Sequence, residues 1–187
     1  MMSQTNQMAF MRIKQEYEDL RKEPISAFGA SVGLVNNNLF EWQSTLIGPS
    51  DSSFKYGLFV LRIKFPNNYP LVPPDVRFVT PIYHANVNPR IPRFIGDDCL
   101  GHVSISILKR WKPEYTIKEV LTNIYSLFYL EYPENAYDPD LIYEMRSNPA
   151  LHYEKIKYFT KKYANPLRHT TLTENADWDF SLSELMH

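Results

Sequence analysis

The sequence is short of several residues on which common protein classes depend. Among its 187 residues there is one cysteine, Cys99, so an internal disulfide framework and a multi-cysteine zinc site are both excluded. Six glycines are outnumbered by fourteen prolines, and neither a Walker-type nor a dinucleotide-binding glycine pattern is present. The sequence therefore predicts no metal site and no nucleotide cofactor.

A dominant charge and long apolar runs are also lacking. The 20 basic and 21 acidic residues leave a formal net charge of −1, so no overall positive field favours non-specific nucleic-acid binding. No stretch approaches the ~18 consecutive apolar residues of a membrane helix, and residues 1–10 lack the apolar run of a signal peptide. We therefore expect a cytoplasmic or nuclear protein whose partners are neither nucleic acids nor membranes.

The apolar residues that are present follow regular patterns. Hydrophobic residues make up 44% of the chain and aromatic residues 14%, which is enough for a sizeable core in one folded domain. Steps of three and four predict a helix over residues 6–22, and alternation predicts strands over 30–35, 39–47 and 58–65. A proline-dense stretch then leads into a short edge strand at 75–78.

The second half of the chain is predicted to be mainly helical. Residues 80–111 show little periodicity and read as a loop, and a loop of that length is usually functional. Thr116 is a candidate N-cap for an apolar helix that runs to about Leu130, and Asp-Pro and Asn-Pro pairs begin two further helices at 138 and 148. These elements predict an α+β fold, in which a four-stranded antiparallel meander packs on a central helix, with an N-terminal helix and two C-terminal helices. The side chains expected to be buried are Trp42, Leu61, Ile63, Val76, Leu121 and Ile124.

Charge divides the chain into two parts. Residues 166–187 carry one arginine against four acidic side chains, a formal charge of 1 − 4 = −3. We therefore expect a domain over residues 1–165, followed by an acidic tail over 166–187 that is dispensable for folding.

The long loop carries residues that suit acyl transfer. His84, Asn86, Cys99, His102 and Ser104 supply nucleophiles, bases and an amide donor within about twenty residues. A structural role competes with this interpretation, because a lone histidine or cysteine in a loop is more often structural. A serine hydrolase using Ser104 with His84 or His102 is a further alternative, although no Gly-x-Ser-x-Gly elbow is present.

The order of local motifs along the chain is more specific than any single one. They are Arg12-Ile13 to Asp19-Leu20, Phe40-Glu41-Trp42, Ile47-Gly48-Pro49, Tyr56-Gly57-Leu58-Phe59, Phe65-Pro66-Asn67-Asn68-Tyr69-Pro70, Pro73-Pro74, Phe78-Val79-Thr80, Ile82-Tyr83-His84-Ala85-Asn86, Ile107-Leu108, Trp111-Lys112-Pro113 and Asp138-Pro139. In this order, over residues 9–164, the sequence closely resembles the ubiquitin-conjugating enzyme family.

The resemblance implies a reaction and its partners. Such enzymes accept ubiquitin or a related modifier as a thioester from an activating enzyme, and they pass it to a lysine or to a ligase. The family's His-Pro-Asn triplet stands here as His84-Ala85-Asn86. The resemblance implies that the Asn86 amide stabilises the oxyanion when lysine attacks, a donor role worth ~3 kcal/mol. The alternative is a turn amide that bonds to the loop backbone.

The nucleophile departs from the family's pattern. Members carry a glycine, two residues, and then the thioester cysteine, followed by a segment such as Ile-Ser-Ile-Leu. The matching run here is Gly101 to Leu108, which puts Ser104 at the cysteine position. The only thiol, Cys99, lies five residues earlier, within an apparent insertion near residues 89–100.

Three interpretations of this departure stay open. Ser104 could replace a native cysteine in a chain made to hold an oxyester, or the protein could be a natural inactive variant that binds ubiquitin or a partner through the fold. In the third interpretation Cys99 is the nucleophile, although adjacent Asp97 and Asp98 disfavour the thiolate.

Partner-binding residues also follow from the resemblance. Family members meet activating enzymes and ligases through the first helix and two loops, which correspond here to Arg12 and Lys14, to Leu71, and to Pro113 with Glu114. Leu71, in a turn between prolines, would be an apolar anchor. The alternative is that Leu71 packs inward and the basic side chains only solvate a helix face. Glu114 occupies a position that is usually small and uncharged in the family.

Overall fold

The computed structural model describes residues 4–25, 29–88 and 101–165. Cys99 and the acidic tail lie outside these ranges. The described elements, in chain order, are α1 (Gln4–Lys22), β1 (Ser31–Val35), β2 (Asn38–Ile47), β3 (Leu58–Lys64), β4 (Asp75–Phe78), α2 (Ser106–Lys109), α3 (Ile117–Ser126), a 3₁₀ turn (Pro133–Asn135), α4 (Pro139–Ser147) and α5 (Pro149–Tyr163).

The sheet is the predicted antiparallel meander, with the strand order β1-β2-β3-β4. Trp42 pairs with Ile63 across β2 and β3, and Ile63 pairs with Val76 across β3 and β4. Alternation puts this row on one face, where it meets Leu121 and Ile124 of α3 in a single core. All six side chains predicted to be buried are at most 2% exposed, and each contributes about 1.5–3 kcal/mol by leaving water.

Two details of the helices differ from the prediction. The apolar helix ends at Ser126 rather than near Leu130, because the backbone N–H groups of residues 127–129 bond to carbonyls three residues earlier and tighten the chain into turns. A helical turn, α2, occupies residues 106–109 inside the predicted loop. It is too short to show a 3.6-residue period. The predicted N-cap is confirmed, since Thr116 and Glu119 form a reciprocal capping box.

The outer edge of β4 is covered by the segment that follows the insertion. The Phe78 N–H donates to the Gly101 carbonyl at 2.8 Å, and the Val103 N–H donates to the Val76 carbonyl at 3.2 Å. Gly101 has a φ of +75°, and a Cβ at this position would lie 2.3 Å from the Phe78 carbonyl oxygen. Only glycine therefore allows the segment to approach the strand so closely. This contact sets the position of the residues that follow.

A buried carboxylate joins α1, the loop before β4 and α3. Glu16 is 6% exposed and accepts hydrogen bonds from Arg12 Nε at 2.5 Å, from the Tyr69 hydroxyl at 2.6 Å and from the Ile117 N–H at 2.7 Å. The last donor is the first N–H of α3, a group with no partner inside the helix. Burial raises the pKa of Tyr69, and the Glu16 carboxylate raises it further. The tyrosine is therefore a fixed donor.

None of the described helices combines the length and the apolar character needed to cross a membrane.

We expect Glu16→Gln to lower the free energy of unfolding by about 3 kcal/mol, because the amide turns a donor towards donors that are already buried. Urea denaturation followed by tryptophan fluorescence measures this change. Glu18→Gln is the matched control, since Glu18 lies on the same helix and faces Lys14 at only 3.9 Å with both side chains about half exposed. It should change stability by less than about 0.5 kcal/mol. Equal losses in the two variants would contradict the role given to Glu16.

Candidate active site around Ser104

Ser104 lies on a short extended segment held from both sides. One side is β4, and the other is the backbone of residues 86–88. The Ser104 N–H donates to the Asn86 carbonyl at 2.8 Å, the Asn88 N–H donates to the His102 carbonyl at 2.9 Å, and the Gly101 N–H donates to the Asn88 carbonyl at 3.0 Å. The backbone at Ser104 is therefore fixed beside the His84-Ala85-Asn86 triplet. The serine itself is 4% exposed.

His84 is buried and engages both of its ring nitrogens. Nδ1 accepts from the Asn86 N–H at 3.0 Å, and Nε2 lies 2.9 Å from the Leu127 carbonyl, to which it donates. Burial lowers the pKa of His84, which keeps the ring neutral with its proton on Nε2. A base for Ser104 would need a free nitrogen. This geometry therefore disfavours the serine-hydrolase alternative with His84.

The Asn86 side chain pairs with the backbone of one residue after α3, through two adjacent peptide groups. Its Nδ2 donates to the Tyr132 carbonyl at 2.8 Å, and its Oδ1 accepts from the Tyr132 N–H, also at 2.8 Å. The side chain is fully buried. Ala85 adds to the same contact, since its carbonyl accepts from the Tyr137 N–H at 2.8 Å. The triplet thus fastens the segment after α3 to the segment that holds Ser104.

His102 faces a carboxylate on β4. Its Nε2 lies 3.0 Å from Asp75 Oδ1, although the angle between them falls outside hydrogen-bond geometry. Arg77 binds the other oxygen of Asp75 at 2.8–2.9 Å. Burial alone would raise the pKa of Asp75, but His102 and Arg77 together lower it to about 2. His102 therefore belongs to a surface charge cluster.

The Ser104 hydroxyl has no activating partner in the described part of the chain. No hydrogen bond to its Oγ occurs within residues 4–25, 29–88 and 101–165. An alcohol without a base is a weak nucleophile. Within the same ranges, no group of three histidine, cysteine or acidic side chains is arranged to hold a metal ion.

The predicted partner-binding residues lie on or next to the elements that Glu16 joins through its hydrogen bonds to Arg12, Tyr69 and Ile117. Trp111 Nε1 donates to the Pro70 carbonyl at 2.6 Å, so the loop that carries Leu71 meets the loop that carries Pro113. Arg12 Nη2 donates to the Tyr115 carbonyl at 2.9 Å, which brings α1 to the same place. These two bonds assemble one surface from three distant parts of the sequence.

The exposure of these residues separates contact candidates from structural ones. Leu71 is 68% exposed, which overturns the alternative that it packs inward. Lys14, Pro113 and Glu114 are also exposed, and Lys112 and Glu114 approach to 3.9 Å. The guanidinium of Arg12, in contrast, donates to Glu16 and to the Tyr115 carbonyl just before α3. Its observed role is to hold that surface together.

Sequence reasoning missed the segment after α3. Tyr132 contributes only backbone atoms to the Asn86 pair, so its residue type carries no signal. Asn135 is 5% exposed and donates to the Ser106 hydroxyl at 3.0 Å. The one clue was Pro133, which marks an extended residue before it. No local pattern links these residues to the loop that carries Ser104.

Two comparisons with known proteins bear on this site. A family model described as ubiquitin-conjugating enzyme matches residues 12–160. Among solved structures, a ubiquitin-conjugating enzyme E2 domain from Toxoplasma gondii matches with a TM-score of 0.70 and 27% sequence identity, and the match covers 83% of this chain and 98% of that one.

Asn86→Ala should lower the free energy of unfolding by about 2–3 kcal/mol, because it removes a fully buried amide and leaves the partly buried N–H and carbonyl of Tyr132 without partners. Urea denaturation measures this loss. Asn123→Ala is the control, since the exposed Asn123 side chain only donates to the Glu119 carbonyl on its own helix. It should be nearly neutral. If the Asn86 variant is as stable as this control, the hydrogen bonds between Asn86 and Tyr132 do not contribute to the free energy of unfolding.

Proposed function

The chain belongs to the ubiquitin-conjugating enzyme family, and we propose that position 104 is where it receives ubiquitin or a ubiquitin-like modifier from an activating enzyme. One observation supports this position above others. The segment from Gly101 to Ser104 is held against β4 and against Asn86, so residue 104 lies beside the triplet that the family places at its active site. The second step would pass the modifier to a lysine, with a ligase bound at the surface of Leu71, Lys14 and Pro113. We propose that this takes place in the cytoplasm or nucleus.

The residue at position 104 decides the chemistry. For a serine, its oxygen bonds to the modifier's carboxyl-terminal carbonyl, the C–S bond to the activating enzyme breaks, and the serine proton passes to the departing thiolate. The product is an oxyester. An incoming lysine amine would then form a C–N bond as the C–O bond breaks, with a proton returned to the serine oxygen. Both steps are slower for an alcohol than for a thiol, which is the better nucleophile and leaving group.

A non-catalytic function is the second candidate. The Ser104 hydroxyl is nearly buried and no described side chain activates it. The partner-binding surface, by contrast, is exposed and assembled independently of the residue at 104. A chain with this arrangement could bind a modifier or a ligase without transferring anything.

Loading by the activating enzyme distinguishes these functions. With activating enzyme, ATP and modifier, Ser104→Cys should form an adduct that a thiol reagent cleaves. The chain with Ser104 should stay unmodified or carry a base-labile, thiol-resistant ester. Ser106→Cys is the matched control, because it places a thiol two residues away on α2, and it should not load. Gel electrophoresis with and without reducing agent reads out each case.

Each contrary outcome has a definite meaning. If Ser104→Cys fails to load while still folded, the chain is a non-catalytic binding module. If the unaltered chain forms a thiol-labile adduct that Cys99→Ala abolishes, then Cys99 is the nucleophile and position 104 is not.

In the Ser104→Cys background, Asn86→Ala should slow transfer to lysine by about 10²-fold while slowing loading much less, because an oxyanion donor acts when the amine attacks. Single-turnover rates of the two steps test this. They are measured without urea, at a temperature at which the variant remains folded. If both steps are slowed equally, Asn86 has no specific role in transfer, and its function is the structural contact to Tyr132.

A further inference from the structure

A buried histidine lies between two carboxylates close to the candidate active site. His152, on α5, is fully buried. Its Nε2 lies 2.8 Å from Glu131 Oε1 and its Nδ1 lies 3.2 Å from Glu144 Oε1. A carboxylate oxygen can only accept, so both ring nitrogens must carry a proton for both contacts to be hydrogen bonds. The geometry therefore calls for the imidazolium form.

The charges around the ring support the same protonation state. Lys155 of α5 binds Glu144 in a short contact, and the Tyr83 hydroxyl donates to Glu144 at 2.8 Å. Two carboxylates and one ammonium leave −1 without His152, and its proton brings the cluster to zero. Glu131 Oε2 is buried and unpaired within the described ranges, so the imidazolium is the only positive group bonded to Glu131 there.

The groups that face His152 come from four parts of the fold. They are Glu131 after α3, Glu144 on α4, Lys155 and the ring of Tyr153 on α5, and Tyr83 with His84 on the loop after β4, while Asp138 acts on Tyr83. Burial lowers the pKa of His152, but the hydrogen bonds and charges of Glu131 and Glu144 outweigh it and raise the pKa above its ordinary 6.5.

We propose that protonated His152 is a positioning residue, which holds the segment after α3 so that Tyr132 keeps the Asn86 amide in place beside Ser104. The connection is short. Glu131 is the residue before Tyr132, Tyr132 pairs with Asn86 through both of its backbone groups, and the Asn86 carbonyl binds the Ser104 N–H. When His152 loses its proton, Glu131 keeps a buried charge with no counter-charge, and the segment must rearrange.

The site is therefore sensitive to alkaline pH. The pKa of His152 is raised in the folded state, so its stabilising contribution is complete below pH 6.5 and is lost as pH rises through the folded-state value. Naming the Ser104 region as the site of transfer rests on the proposed function. The coupling between His152 and Asn86 does not, because it is a property of the folded chain.

Nuclear magnetic resonance of the full chain tests the coupling directly. Between pH 5.5 and 9.5, the His152 ring should titrate with a midpoint above 6.5, and the Asn86 side-chain amide and the Tyr132 backbone amide should shift with the same midpoint. In His152→Gln both amides should lose this step. His102→Gln is the matched control, since it removes another imidazole near Ser104 but should leave the step intact.

A second variant keeps the test decisive if His152→Gln does not fold. Glu131→Gln preserves shape and removes one carboxylate, so it should lower the midpoint by roughly 1–3 pH units in the ring and in both amides together. The proposal is overturned if the His152 ring titrates at or below 6.5. It is equally overturned if the Asn86 and Tyr132 amides stay unchanged while the ring titrates. Neither result depends on whether the chain can be loaded with a modifier.

Discussion

The two ends of α3 impose the constraint on which the rest of the structure depends. A helix leaves N–H groups at its start and carbonyls at its end without internal partners, and in a protein interior these must be satisfied by other parts of the chain. Glu16 of α1 accepts from the Ile117 N–H at the start, and His84 of the long loop donates to the Leu127 carbonyl at the end. Satisfying the ends of α3 therefore also joins it to the first helix and to the loop.

The candidate site extends this arrangement. The backbone of Asn86 holds Ser104, and its side chain holds Tyr132, so one residue links Ser104 to the segment after α3. This frame consists of backbone groups and one amide. None of its bonds involves the Ser104 hydroxyl. The frame is therefore compatible with a thiol or an alcohol at position 104, and the fold alone does not set the reactivity.

The partners of two buried histidines near this frame favour opposite protonation states. His84 meets one donor and one acceptor, the Asn86 N–H and the Leu127 carbonyl, and a neutral ring satisfies both. His152 meets two carboxylates, which only a doubly protonated ring satisfies. Burial disfavours charge on both rings. Two carboxylate neighbours outweigh burial at His152, whereas no described carboxylate bonds to His84.

Local sequence patterns determined the elements of this protein. Alternation predicted the first three strands, the proline-dense stretch predicted the fourth, and Thr116 predicted the start of α3, because each of these signals lies within a few residues of the element it marks. The order of motifs along the chain, through the family resemblance, placed Ser104 at the expected position of the nucleophile. The tertiary structure alone decided that Leu71 is exposed, that Arg12 is held by Glu16, and that Asn86 pairs with Tyr132. The Asn86 partner is 46 residues away and contributes only backbone atoms. Such contacts depend on how the layers pack, which no local pattern records.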